Sequence, residues 1–468
     1  MKSQADVIIA GGGIAGLTAA ASLKQKGHRV RVIERGHRLG GAIESVSREG
    51  YIVEEGPNTL MVDGNDVDQF LNELGLKASL QVANSRAAKR FIVRNGRTHA
   101  VPSNPLQGMT TRLWSFGGRL RALKELFIPT YQGSGEESLA DFVRRRLGQE
   151  MLDYAINPFV AGVYAGNPER LSVRFGFPKL YALEKNYGGS LIRGAMKLKK
   201  KRKAEGQAFK TFLSSFPGGL QTLVNTLKEK LSEEIETEAE IESLDQEKGG
   251  KFRLMISLRG RAPELTEADA VILALPGKAL AELPCGPSGI NPMSRLNEIF
   301  YPPVTNVALG FHRNQIQHPL DGFGMLIPEK ERLQILGTLF SSTLFEGRAP
   351  QDHVLLTTYV GGTRQPEVAA QPDNILIETV LTDLRSLLGI SGEPTFRNIR
   401  RWPHAIPQYN LGYGRHLETM RRFEGKFPGC FIAGHIIDGI ALPKAIRGGL
   451  QAADRVLAHL NGLPAASS

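Results

Sequence analysis

The first residues able to do chemistry are three glycines and a glutamate. Gly11, Gly13 and Gly16, in the run Gly11-Gly12-Gly13-Ile14-Ala15-Gly16, fit G-x-G-x-x-G. An apolar stretch, Asp6 to Ala10, precedes them and a small-residue helix, Leu17 to Gln25, follows. Gly27 ends that helix, and Arg29 to Ile33 read as a second strand closed by Glu34 and Arg35. In such a βαβ opening the first glycine permits a tight turn and the second admits a pyrophosphate to the helix N-terminus. The third lets helix and strand pack closely. The carboxylate of Glu34 is placed to accept hydrogen bonds from an adenosine ribose. A glycine-rich turn without a ligand is the bland alternative; strand, helix and acid in register argue against it.

A second glycine pair sharpens the ligand. Arg38-Leu39-Gly40-Gly41 resembles the R-x-G-G element of FAD-dependent amine oxidases and desaturases. Near the other end, Ala433-Gly434 follows a short strand, and Asp438-Gly439 leads through Ile440 into a helix near Leu442. Chain ends that reconverge on one cofactor point to FAD rather than NAD. Further blocks are more specific: Glu55-Gly56-Pro57-Asn58, Pro102-Ser103-Asn104-Pro105, the run 157–166, Phe177-Pro178-Lys179-Leu180 and Gly337-Thr338-Leu339-Phe340-Ser341-Ser342. Together they resemble the oxygen-dependent protoporphyrinogen oxidases of the amine oxidase/desaturase flavoprotein superfamily across nearly the whole chain.

That resemblance implies a fold, a reaction and a site. The fold would be α/β: a Rossmann-like FAD-binding domain, an antiparallel-sheet substrate domain and a mainly helical membrane-contact domain. The reaction would aromatise protoporphyrinogen IX, a methylene bridge giving hydride to flavin N5 while oxygen is reduced to hydrogen peroxide. By similarity Arg90 would bind a substrate carboxylate, since a guanidinium holds a carboxylate bidentately. Phe323, Gly324 and Leu326 match the block that contacts the ring, and Leu339 and Tyr359 fall on two more pocket positions. Tyr359 stands where plant relatives usually have phenylalanine, which adds a hydroxyl near the pocket. Ala161 and Gly162 match a pocket-lining segment beside the flavin. Gly56, Pro57 and Asn58 match residues at the flavin edge, where Asn58 either positions substrate or caps the turn. Ile241 would lie on an edge strand whose backbone meets the adenine. Trp402 would pack near the isoalloxazine or simply in the core, and His435 replaces a common asparagine after Ala433-Gly434. Two other activities stay open: coproporphyrinogen III oxidation on the same fold, whose four propionates need more cationic anchors, and amine or carotenoid oxidation. A non-catalytic FAD-binding scaffold is the alternative from another class.

These residues must be held by a chain of 468 residues, long enough for two or three domains. Two cysteines, Cys285 and Cys430, exclude a disulfide framework and fit a reducing cytosol, and no cysteine–histidine cluster suggests a metal. Asp6 and the glycines interrupt what could be misread as a signal peptide, and no run of about 20 residues is apolar enough to span a bilayer. The net charge of +11 is uneven: residues 86–203 hold 23 Lys or Arg against 8 Asp or Glu. Within this segment Leu113, Phe116, Leu120, Leu123 and Phe127 recur at helical spacing among arginines. Ser138 and Asp141 form a capping-box-like start, and Asn157-Pro158 predicts a helix break. A basic helical segment suggests an anionic surface, by resemblance the membrane. The expected division is an FAD-binding domain at 1–85, 215–285 and 410–468, a basic helical membrane-contact domain at 86–205, and a substrate domain at 286–409. The expected setting is cytoplasmic, peripheral on the inner face of the cell membrane, with a porphyrinogen and molecular oxygen as partners and no nucleic acid. A homodimer is left open.

Overall fold

The computed structural model describes residues 5–133, 135–187, 189–204, 209–286 and 291–462. Its first sheet has five parallel strands, in the order Ile235–Thr237, Val30–Glu34, Val7–Ala10, Ala270–Leu273 and Cys430–Ile432. Val7 pairs with both Val30 and Ala270, so the N-terminal strand is central. That is why Val7-Ile8-Ile9-Ala10 is apolar throughout: a parallel sheet buries both faces. Val7 and Ile9 face a core with the helices Ile14–Gln25, Gln221–Lys230 and Leu442–Leu460. Ile8 and Ala10 face the opposite way, against the antiparallel strands Ala239–Gln246, Phe252–Leu258 and Glu264–Ala268 and the helix Gly414–Lys426. Strands from the beginning, middle and end of the chain thus converge on one sheet.

A second sheet has seven strands, ordered Phe396–Trp402, Val304–His312, His353–Gly361, Ile335–Phe340, Gly324–Leu326, Phe91–Arg94 and Arg97–Ala100. It is antiparallel except where Gly324–Leu326 runs parallel to Phe91–Arg94. One face carries Val307, Leu309, Leu356 and Val360 into a core shared with the helix Asp373–Leu388.

The structure changes two expectations for residues 86–205. Residues 91–100 are a hairpin of the second sheet and not part of the helical segment. Phe91-Ile92-Val93 suits a buried strand, and Arg94 pairs with Arg97 across Asn95-Gly96, both at positive φ, which is the favoured two-residue turn. Nor does Pro158 end its helix. A π-helical turn, Leu152–Ile156, comes just before it, so Pro158 enters the first turn of Asn157–Tyr164, where its missing N–H costs little. The rest of the segment is helical, at Pro105–Thr110, Phe116–Leu123, Leu139–Arg146, Pro178–Asn186 and Leu191–Ala204. Ser138 caps as its sequence suggested, its Oγ accepting from the Asp141 N–H at 3.0 Å. The lysine run ends the helix Leu191–Ala204; the side chains of 201–203 and the expected domain limit at 205 lie outside the described residues. No helix among the described residues is long and apolar enough to cross a membrane.

Candidate active site: a dinucleotide cradle facing an apolar pocket

The cradle begins at Gly11. Its φ is +101°, and a Cβ there would stand 2.5 Å from the Ala274 carbonyl oxygen. A Cβ on Gly16 would collide with the Gly11 carbonyl, so the helix can approach the turn only because both are glycine. At Gly13 a Cβ would meet nothing within 4 Å, which leaves open space before the helix that starts at Ile14 and Ala15. That helix has no side-chain cap, so its first N–H groups are available to an anion. The Glu34 carboxylate accepts from the Gly12 N–H and the Gly36 N–H, both at 2.7 Å, and each oxygen keeps acceptor capacity for a ribose hydroxyl.

The second glycine pair closes on the first. The Gly40 N–H donates to the Gly12 carbonyl at 2.8 Å, and a Cβ on Gly41 would lie 3.3 Å from the Gly13 Cα. Gly56 lies so close to Ala42 that any Cβ would strike its carbonyl, which brings the Gly56-Pro57-Asn58 turn onto the same loop. At the far end of the chain, Gly434 abuts Ala15, and its N–H is held by the Asp438 carboxylate at 2.7 Å. Burial pushes the Asp438 carboxyl up to about 6, the Gly434 N–H opposing the shift. Ile440 is half-buried, and Leu442 opens the C-terminal helix inside the core. His435 packs against Tyr301, the two rings edge to face, and burial lowers its imidazole to about 4. Arg35 and Ile241 flank the Glu34 end of the cradle, where Gly36 donates to Glu34 and accepts from the Glu238 N–H. Arg35 is exposed along a cleft with Glu238 and Glu240, and Ile241 lies on an edge strand, at a bulge. Open space before an uncapped helix, a ribose-facing carboxylate and two reconverging glycine turns fit a bound FAD.

Register assembles the pocket on the second sheet. Leu326 pairs with Gly337, which pairs with Tyr359; one row along, Gly324 pairs with Leu339. Positions two apart share a face, so Leu326, Leu339 and Tyr359 point the same way. Gly324 has a φ of +153° and lies against the Thr338 carbonyl, so no side chain fits there. The helix Asn157–Tyr164 crosses this face, Ala161 is buried, and Gly162 rests on the Leu326 side chain, which a Cβ there would displace. From the cradle side the Asn58 amide donates to the Tyr359 hydroxyl and, at 3.1 Å, to the Gly56 carbonyl. Asn58 thus braces its own turn and ties it to Tyr359 on the second sheet. Burial raises the Tyr359 phenol, which stays protonated at neutral pH. Trp402 braces the same turn, its indole N–H donating to the Glu55 carbonyl at 2.8 Å, under the Arg400 guanidinium at 4.7 Å. Asn306, opposite Tyr359, adds a bond to the Glu54 carbonyl at 2.8 Å.

Arg90 sits at the rim. It is exposed, its guanidinium lies 5.2 Å from the Phe323 ring centroid, and among the described residues it forms no ion pair. Its neighbour Lys89 is paired with Asp321. Sequence reasoning overlooked Asn306 and Arg364, whose partners are distant in the chain. Arg364, half-buried just past the end of the strand His353–Gly361, bonds Asn157 and the Ile327 carbonyl.

Such a pairing of cradle and pocket defines a flavin-dependent oxidoreductase. The chain belongs to the flavin-containing amine oxidoreductase family, whose model matches residues 14–457, and FAD is its cofactor. Within that family it stands with the porphyrinogen oxidases. It is 36% identical to protoporphyrinogen oxidase 2, chloroplastic/mitochondrial, of Arabidopsis thaliana, over 97% of this chain and 94% of that one. It is 30% identical to coproporphyrinogen III oxidase of Bacillus subtilis (strain 168), over 97% and 98%. A crystal structure from Exiguobacterium sp. 255-15 shares the fold at a TM-score of 0.79 and 24% identity, over 97% and 98% of the two chains. Reduced UDP-galactopyranose mutase shares it at 0.72 and 18%, over 97% and 96%.

Proposed function

We propose that the chain oxidises protoporphyrinogen IX to protoporphyrin IX in three two-electron steps, each reducing one oxygen molecule to hydrogen peroxide. The observation that carries this reading is Arg90, a guanidinium without an ion pair among the described residues, stacked on Phe323 at the rim of an apolar face made by Leu326, Leu339 and Tyr359. An apolar macrocycle bearing carboxylates on one side matches that arrangement. Bound FAD supplies the two-electron acceptor. The protein supplies position: Gly162 and Leu326 set the slot, Arg90 anchors a propionate, and Asn58 and Tyr359 present neutral hydrogen-bonding groups. No strong base is required, because pyrroles stabilise the cation left by hydride loss and their N–H protons then become acidic.

Coproporphyrinogen III is the second reading, favoured by the Bacillus subtilis relative. Its four propionates call for more free cations, whereas Lys89 and Arg364 are already bonded to protein groups. Aerobic turnover of both porphyrinogens, followed by porphyrin fluorescence, separates the two. Protoporphyrin should form faster; rapid coproporphyrin formation with no protoporphyrin overturns the choice.

The reading includes a place at the cytoplasmic membrane surface, on the inner face. Leu106, Phe116 and Phe127 are 73%, 71% and 82% exposed, with Met109, Leu120, Leu123 and Met196 also exposed. Arg112, Arg119, Lys124, Arg193 and Lys197 form no ion pair among the described residues, while Arg144, Arg145 and Arg146 are paired internally. Apolar side chains between free cations suit an anionic bilayer interface.

A further inference from the structure

Three consecutive residues at the end of the strand His353–Gly361 hold both ends of the pocket helix. At its C-terminal end the Thr363 N–H donates to the Ala165 carbonyl at 2.8 Å, and Gly362 lies against the same carbonyl. At its N-terminal end the Arg364 guanidinium donates to the Asn157 side-chain oxygen at 3.0 Å. Eight helical residues span about 12 Å, which the backbone step from Thr363 to Arg364 and the extended arginine side chain bridge together. Arg364 also donates to the Ile327 carbonyl at 2.9 Å, one residue beyond the strand Gly324–Leu326. Asn157 completes the junction: its oxygen accepts from the Glu329 N–H and its amide donates to the Glu329 carboxylate, both at 3.0 Å. Burial lowers the Arg364 pKa, opposed by the nearby Glu329 charge. A half-buried arginine bonded mainly to a carbonyl and an amide, away from bulk water on one side, costs desolvation that packing alone does not call for. Here it joins the helix bearing Ala161 and Gly162 to the strand bearing Leu326, at the π-helical turn that admits Pro158.

We infer that Arg364, through Asn157 and Glu329, is a positioning residue that fixes the gap between the two walls of the substrate pocket. It acts on ring fit and not on the flavin, whose cradle lies on the other sheet. The kinetic part of this inference rests on the porphyrinogen reading; the structural part does not.

The test compares holoenzyme carrying Arg364→Gln, Arg364→Lys, Asn157→Ala or Glu329→Gln, and the Arg364→Gln/Asn157→Ala pair. Each single loss of the junction should raise KM for the porphyrinogen about tenfold, with a much smaller change in kcat. Flavin content and the aerobic reoxidation rate of photoreduced enzyme should stay at the wild-type value. The double variant should be no worse than the stronger single one, because both break one junction. Amide exchange should rise in 157–164 and not in 14–25, and Arg364→Lys should restore part of the KM. An unchanged KM with wild-type exchange in 157–164, or additive losses, overturns the inference. If Arg364→Gln does not fold, Glu329→Gln, altered at an exposed position, carries the same test. A wild-type enzyme that oxidises no porphyrinogen sinks the functional reading alone, since the exchange result still decides the junction.

Discussion

Arg90 illustrates what a single residue contributes to this account. A guanidinium with no carboxylate partner among the described residues, held over an aromatic ring, keeps its bidentate donors for a substrate carboxylate. Arg90→Ala should therefore raise KM at least tenfold and leave kcat within about twofold, because the contact is remote from the reacting carbon; steady-state kinetics showing an unchanged KM removes the anchor. How far such residues were legible varies with their reach. The glycines, Glu34 and Asn58 belong to short motifs whose spacing carries their geometry. Arg90, Leu326, Leu339 and Tyr359 have no local signature and were reached through resemblance, and register then placed the last three on one face. Asn306 and Arg364 were overlooked because their partners lie 252 and 207 positions away.

At the scale of elements, the turn Gly434–Asp438 carries a consequence for stability. Asp438 lies in a notch at Gly448 and is held mainly by one N–H. Its folded pKa is raised from 3.8 to about 6. The associated stability is thus present in full below pH 4 and lost as pH rises through about 6, a difference of about 3 kcal/mol at most. Asp438→Asn should raise the melting temperature at pH 8 by roughly a few degrees and flatten its dependence between pH 4 and 6; a less stable variant at pH 8 contradicts this assignment. Element identity was mostly readable. The βαβ opening and the cap at Ser138 follow from periodicity and capping residues. The hairpin at 91–100 is signalled only by Asn95-Gly96, because its strands are four residues each and too short for a clear two-residue alternation. The helix through Pro158 was missed because a π-helical turn depends on tertiary contacts such as those of Asn157.

For the whole molecule, charge and exposed apolar side chains combine on the helices of residues 105–204. Binding to vesicles rich in anionic lipid should weaken as salt rises, yet persist in part, since screening leaves apolar contacts intact. Replacing Phe116, Leu120, Leu123 and Phe127 by Ser should remove the salt-resistant part; no vesicle binding even at low salt contradicts a membrane role. The central claim joins the two sheets: a flavin on the first accepts electrons from a tetrapyrrole held on the second. Anaerobic mixing of holoenzyme with protoporphyrinogen IX tests it most directly, through the loss of oxidised-flavin absorbance. The account predicts rapid bleaching, reversed on admitting oxygen, with protoporphyrin as product. Flavin that stays oxidised in the presence of excess protoporphyrinogen IX would contradict it.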